Sequence, residues 1–97
     1  MYALAIIRYR RPLEEISKVV DAHRAYLREL KKQGVLIASG PIDPRSGGAL
    51  LLRIKDDEVL KTLDRIRDDD PFTQAGLVQY EMWPWNPVIG GEDLDRI

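Results

Sequence analysis

Residues 35–54 read VLIASGPIDPRSGGALLLRI. Two apolar runs, 35–39 and 49–54, flank Gly40-Pro41 and a segment rich in turn residues: Asp43, Pro44, Ser46, Gly47 and Gly48. Short apolar runs bounded by Gly and Pro are strand signals. The stretch therefore predicts a β-hairpin whose first strand is broken by Gly40-Pro41. A single hairpin is only marginally stable in water, so it must add to further strands or pack against helices.

Both flanks of the hairpin carry a helical period. Upstream, Leu13, Ile16, Val20, His23, Leu27 and Leu30 recur at spacings of three and four, one face of an α-helix. Pro12 suits its first turn, where the missing N–H costs nothing, and Glu14 and Glu15 suit its positive end. Lys31 and Lys32 suit its negative end and Gly34 its C-cap. Lys18, Asp21, Arg28 and Lys31 read as its solvated side. Downstream, Asp56 can cap a second helix, with Asp57 and Glu58 in the first turn and Val59, Leu60, Leu63 and Ile66 as an inner stripe. Pro71 disfavours helical geometry at Asp70 and ends that helix.

Beyond the helices lie two more strand candidates, 2–9 (YALAIIRY) and 77–83 (LVQYEMW). In the first, Tyr2, Leu4, Ile6 and Arg8 alternate with Ala3, Ala5, Ile7 and Tyr9. Residues 84–97, rich in Pro, Gly and acids, read as an extended tail. The resulting order is β-α-β-β-α-β. Crossovers of about 20 residues are long enough to return a helix over the sheet. This is a ferredoxin-like α+β sandwich with both helices on one face. The other face stays apolar and bare, and a homodimer is expected to bury it.

Composition narrows the function classes. The 97 residues fit one domain, with 44% hydrophobic and 32% charged residues and a net charge of −1. Basic and acidic residues are interleaved, so no large field draws nucleic acid or an anionic membrane. RNA-recognition modules share this topology but carry stacking aromatics on their central strands, and 49–54 has none. Cysteine is absent, which removes disulfides and thiolate nucleophiles. With one histidine, no ordinary metal-ligand set forms, and no cofactor motif is present. Met1 leads directly into a strand-like run, without the features of a signal peptide or a membrane span. A cytoplasmic protein is expected.

A family resemblance adds to this reading. His23-x-x-Tyr26-Leu27-x-x-Leu30-x-x-x-Gly34 resembles the first-helix signature of YciI-like proteins. Ser39-Gly40-Pro41, Gly47-Gly48, Asp70-Pro71-Phe72, Ala75-Gly76-Leu77 and a Trp after the last strand, Trp83 or Trp85, follow in the family's order. The resemblance covers residues 1–87 and leaves 88–97 as a tail. It implies a dimeric α+β barrel related to muconolactone isomerase-type folds. It also implies a pocket with a paired His and Asp, which carry over onto His23 and Asp70.

Each candidate has two readings. His23, the sole histidine, is either a core residue bonded to backbone or a general acid–base, since imidazole titrates near neutral pH. Asp70 is either a turn former before Pro71 or the carboxylate that orients His23. Arg8 either snorkels to the sheet rim or holds an acidic substrate. Gly40-Pro41 ends a strand or shapes a pocket wall, with the Ser39 hydroxyl beside it. Tyr26 packs in the core or shares His23's face, and Phe72 joins this substrate-binding set through its motif. The function expected is proton transfer by His23 and Asp70 on a small, lactone-like or carboxylated molecule. The alternatives are a non-catalytic ligand-binding module on the same pocket and a purely structural dimer.

Overall fold

The computed structural model describes residues 1–55 and 57–97. Four strands form one antiparallel sheet in the order β2-β3-β1-β4: β1 (Tyr2–Tyr9), β2 (Leu36–Ile42), β3 (Gly47–Arg53) and β4 (Val78–Trp85). The connections carry α1 (Leu13–Ser17) and α2 (Val20–Lys32) between β1 and β2, and α3 (Val59–Asp69) and α4 (Pro71–Gln74) between β3 and β4. A last short helix, α5 (Gly91–Asp95), follows β4. This is the ferredoxin-like α+β arrangement expected from the order of elements.

The main core lies between the sheet and the long helices. Ala3, Ala5 and Ile7 of β1 and Leu50 and Leu52 of β3 meet Leu27 and Leu30 of α2 and Leu63 and Ile66 of α3. A second cluster of Ile16, Phe72 and Leu77 sits beside it. Among the described residues, neither long helix packs on the opposite sheet face. Leu51, Leu4 and Trp83 stand in one cross-strand row there, because Leu4 is directly opposite both others. One end of that face is covered by the C-terminal segment. The Tyr2 hydroxyl donates to Asp95 at 2.6 Å, and the Arg53 guanidinium donates to the carbonyls of Leu94 and Ile97.

The structure corrects the sequence reading at several points. The predicted helix over 12–34 breaks at Lys18–Val19, which turns Ile16 toward Phe72 and Leu77 and leaves Leu13 exposed. Gly40-Pro41 does not end β2, which runs on to Ile42. An edge strand tolerates proline because half of its backbone groups need no partner strand. β3 starts at Gly47, earlier than expected. A Cβ at Gly47 would lie 1.7 Å from the Ile7 carbonyl oxygen, so this close approach requires glycine. Leu60 is exposed rather than inner-facing, and Thr62 takes the buried position instead. β4 extends to Trp85, and the tail read as extended holds α5. The cap expected at Asp56 lies outside the described residues.

Candidate functional site

Asp70 sits where Pro71 forces the chain out of the α3 helix. Its backbone is extended (φ −69°, ψ 126°), and it serves as N-cap of α4, accepting the Phe72 main-chain N–H at 2.9 Å. The same carboxylate faces His23 on the buried stripe of α2. His23 Nδ1 lies 2.8 Å from Oδ1 and 3.0 Å from Oδ2. The Tyr80 hydroxyl of β4 donates to Oδ2. Asp70 is 0% exposed, and three donors from three elements surround it. The carboxylate thus both caps the turn before α4 and hydrogen-bonds the His23 ring.

An ionised carboxylate is a pure acceptor, so toward an ionised Asp70 the Nδ1 of His23 donates. That leaves Nε2 as the free ring nitrogen. His23 is 8% exposed, and Phe72 stacks on the ring with centroids 4.0 Å apart and planes 17° apart. Tyr9 meets Phe72 edge-on at 6.0 Å. The ring plane is therefore held from its face by Phe72 and from its edge by Asp70.

His23 and Phe72 line a cavity of about 700 Å³ between α2 and the β2–β3 hairpin. This is within the range of about 300–1,000 Å³ usual for small-molecule sites. Its floor is apolar, with Ile7, Leu27, Leu36 and Leu50. Gly48 lies directly opposite Ile7 and lines the hollow with it, and a Cβ there would lie 3.1 Å from the Gly40 carbonyl oxygen.

Of the sequence candidates, His23, Ser39, Gly40, Pro41 and Phe72 line this cavity, and Asp70 stands behind His23. Arg8 and Tyr26 are not brought to it. Arg8 lies on the sheet face opposite the long helices and pairs with Glu81. The Tyr26 hydroxyl donates to the Ile66 carbonyl at 2.7 Å and ties α2 to α3. Burial, then the Asp69 and Asp70 charges, push the Tyr26 phenol well above its ordinary range. The Tyr80 phenol is pushed up further by burial, the Asp70 charge and its hydrogen bond to Asp70.

Sequence reasoning missed Tyr80 and the basic residues at the cavity's edge: Arg24, Arg28, Lys31 and Arg45. A signal for Tyr80 existed. It shares the inward parity of Val78 and Met82 in β4, and an inward phenol must find a partner.

The model of the YCII-related domain matches residues 1–86. Among solved structures, the chain is similar to a 5-chloro-2-hydroxyhydroquinone dehydrochlorinase from Burkholderia phenoliruptrix in complex with 2,5-dihydroxybenzoquinone. The TM-score is 0.72 at 26% identity, covering 89% of this chain and 94% of that one. A comparison with curated proteins found no match.

Proposed function

This chain belongs to the YCII-related domain family, and on that premise we propose that it is a small-molecule enzyme that moves a proton with His23. The observation that carries the reading is the pairing of His23 Nδ1 with the fully buried Asp70, at 2.8 Å, beside a cavity of ligand size. In this arrangement Nδ1 keeps its proton and Nε2 offers a lone pair. Nε2 takes a proton from a C–H or O–H of the bound molecule. The imidazolium that forms is stabilised by the Asp70 charge, and it returns the proton to another atom of the same molecule or to a leaving group. Asp70 is a positioning residue, and Tyr80 and the Phe72 N–H hold its carboxylate in register.

The apolar floor and the Phe72 ring suit a small, partly apolar substrate, lactone-like or carboxylated. Ser39, Gly40 and Pro41 form its outer wall. The similar dehydrochlorinase supports proton transfer on a small molecule, because a proton leaves in any dehydrochlorination. The working form is a cytoplasmic homodimer joined through the row of Leu51, Leu4 and Trp83. Residues 1–87 carry the activity and 88–97 is an appended tail.

The test is proton exchange. Lactones and hydroxylated rings are incubated with the protein in D₂O, and deuterium uptake is followed by NMR. His23→Asn is expected to slow exchange by about 10²–10⁴-fold. Parent-like exchange in His23→Asn would remove His23 from the chemistry. Stabilisation of the protein by these ligands without any exchange would make the cavity a binding module.

A further inference from the structure

The edge of the cavity carries a charge pattern that proton transfer does not require. Arg24, Arg28 and Lys31 follow one another on α2 at spacings of four and three, so they form a single row. That row lies about a quarter-turn round the helix from the buried row of His23, Leu27 and Leu30. Arg45 reaches the same cavity from the β2–β3 turn, and Asp43 is the one acid among the lining residues. Among the described residues none of the four cations has a hydrogen-bond or ion-pair partner, whereas Arg8, Arg67 and Arg96 pair with Glu81, Asp68 and Asp93.

Two ordinary explanations cover only part of this. Lys31 stands in the last turn of α2, where a cation complements the helix dipole. Long basic side chains also spread their stems over apolar surface. Neither accounts for Arg24 and Arg28, a like-charged pair at a spacing that weakens the helix. Nor does either account for Arg45, which comes from a different element to the same opening. In a chain of net charge −1, four cations against one acid at one opening is a local excess.

We propose that Arg24, Arg28, Lys31 and Arg45 form an anion-binding rim that selects a small molecule with two negative charges beside an apolar body. The charged end sits at the rim and the apolar body lies over Ile7, Leu50 and Phe72, which presents the reacting atom to His23. Guanidinium groups from two directions suit carboxylate or phosphate oxygens, which they can grip by two hydrogen bonds each. The inference rests on the reading of this cavity as the substrate site.

Binding tests it without knowledge of the reaction. Phthalate, phenyl phosphate, benzoate and benzyl alcohol are titrated into the protein, and Kd is read from NMR shifts of residues around the cavity. Phthalate and phenyl phosphate supply two charges from carboxylates or from one phosphate, so their ranking tells the two chemistries apart. At least one of them is expected to bind about fivefold or more tighter than benzoate, with benzyl alcohol weakest. Raising salt from about 10 mM to about 150 mM shortens the screening length from about 30 Å to about 8 Å and should weaken the dianions most. Arg24→Gln and Arg28→Gln should each weaken dianion binding about fivefold. Lys61→Gln, on α3 and paired with Glu58, should leave it unchanged.

His23→Asn separates this inference from the catalytic reading. Dianion binding that persists in His23→Asn supports the rim whether or not exchange is ever observed. The rim is overturned if neither dianion binds at millimolar concentration. It is also overturned if benzyl alcohol binds as well as the dianions, or if the two arginine variants bind like the parent.

Discussion

Replacing Asp70 by Ala should be among the most damaging single changes in this chain. The side chain is fully buried and accepts from His23 Nδ1, the Phe72 main-chain N–H and the Tyr80 hydroxyl. A buried donor left without its acceptor costs about 1–3 kcal/mol, and loss of a helix N-cap about 0.5–2 kcal/mol. His23 can recover part of its share by moving its proton to Nε2, so the Tyr80 and Phe72 donors dominate. Together the losses come to about 1.5–6 kcal/mol, against about 5–15 kcal/mol for the whole stability of an ordinary domain. At about 4–8 °C per kcal/mol for a domain of this size, Tm should fall by at least about 6 °C. Thermal melts and urea titrations at neutral pH measure it. Asp70→Asn keeps one acceptor oxygen and should lose only about 1–3 kcal/mol, so it remains measurable if Asp70→Ala fails to fold. A loss below about 1 kcal/mol in Asp70→Ala would refute the view that this carboxylate organises the three donors.

Three further outcomes follow from the same geometry. His23→Leu should cost about 1–3 kcal/mol, less than Asp70→Ala, because Tyr80 and the Phe72 N–H still satisfy the carboxylate; urea titration ranks the two variants. The Tyr80 phenol is raised by burial and by Asp70, so the folded chain holds this proton after the unfolded chain has lost it. That stability is complete below about pH 10 and declines as pH rises toward the folded value, by about 1.4 kcal/mol per pH unit. Tyr26 adds a smaller, screened contribution of the same sign because it is half-exposed; melts above pH 10 should show the steeper decline in the parent and a shallower one in Tyr80→Phe. Light scattering at micromolar concentration should give the mass of a homodimer, and Leu4→Lys, on the sheet face opposite the long helices, should shift it to the monomer.

The fold was legible because its signals are local. Gly and Pro mark the hairpin at 35–54, and the three-and-four spacing of apolar residues marks α2 and α3. What failed were particular positions whose outcome depends on which side of an element is covered. Leu60 fits an apolar stripe on paper, yet it lies a quarter-turn beyond Val59, and a helix lying on a sheet has only one covered side. Pro41 looks like a strand breaker until β2 is known to be the edge strand. The pairing of His23 with Asp70 was expected from the order of motifs rather than from spacing, since 47 residues separate them. Arg28 and Lys31 read correctly as solvated, but no helical period shows that the end of a hairpin rises beside them and turns a solvated row into the edge of a cavity.

The tautomer of the sole histidine tests the central claim most directly. Protein labelled with ¹⁵N is held at a pH where the imidazole is neutral, and long-range ¹H–¹⁵N correlations report which ring nitrogen carries the proton. The account predicts Nδ1–H, fixed by the Asp70 carboxylate at 2.8 Å, with Nε2 as the bare, proton-accepting nitrogen at the cavity. It also predicts that Asp70→Asn, which can offer an N–H instead of an oxygen, moves the population toward Nε2–H. A parent protein that is mainly Nε2–H would contradict the account, because the nitrogen at the cavity would then have no lone pair with which to take a proton.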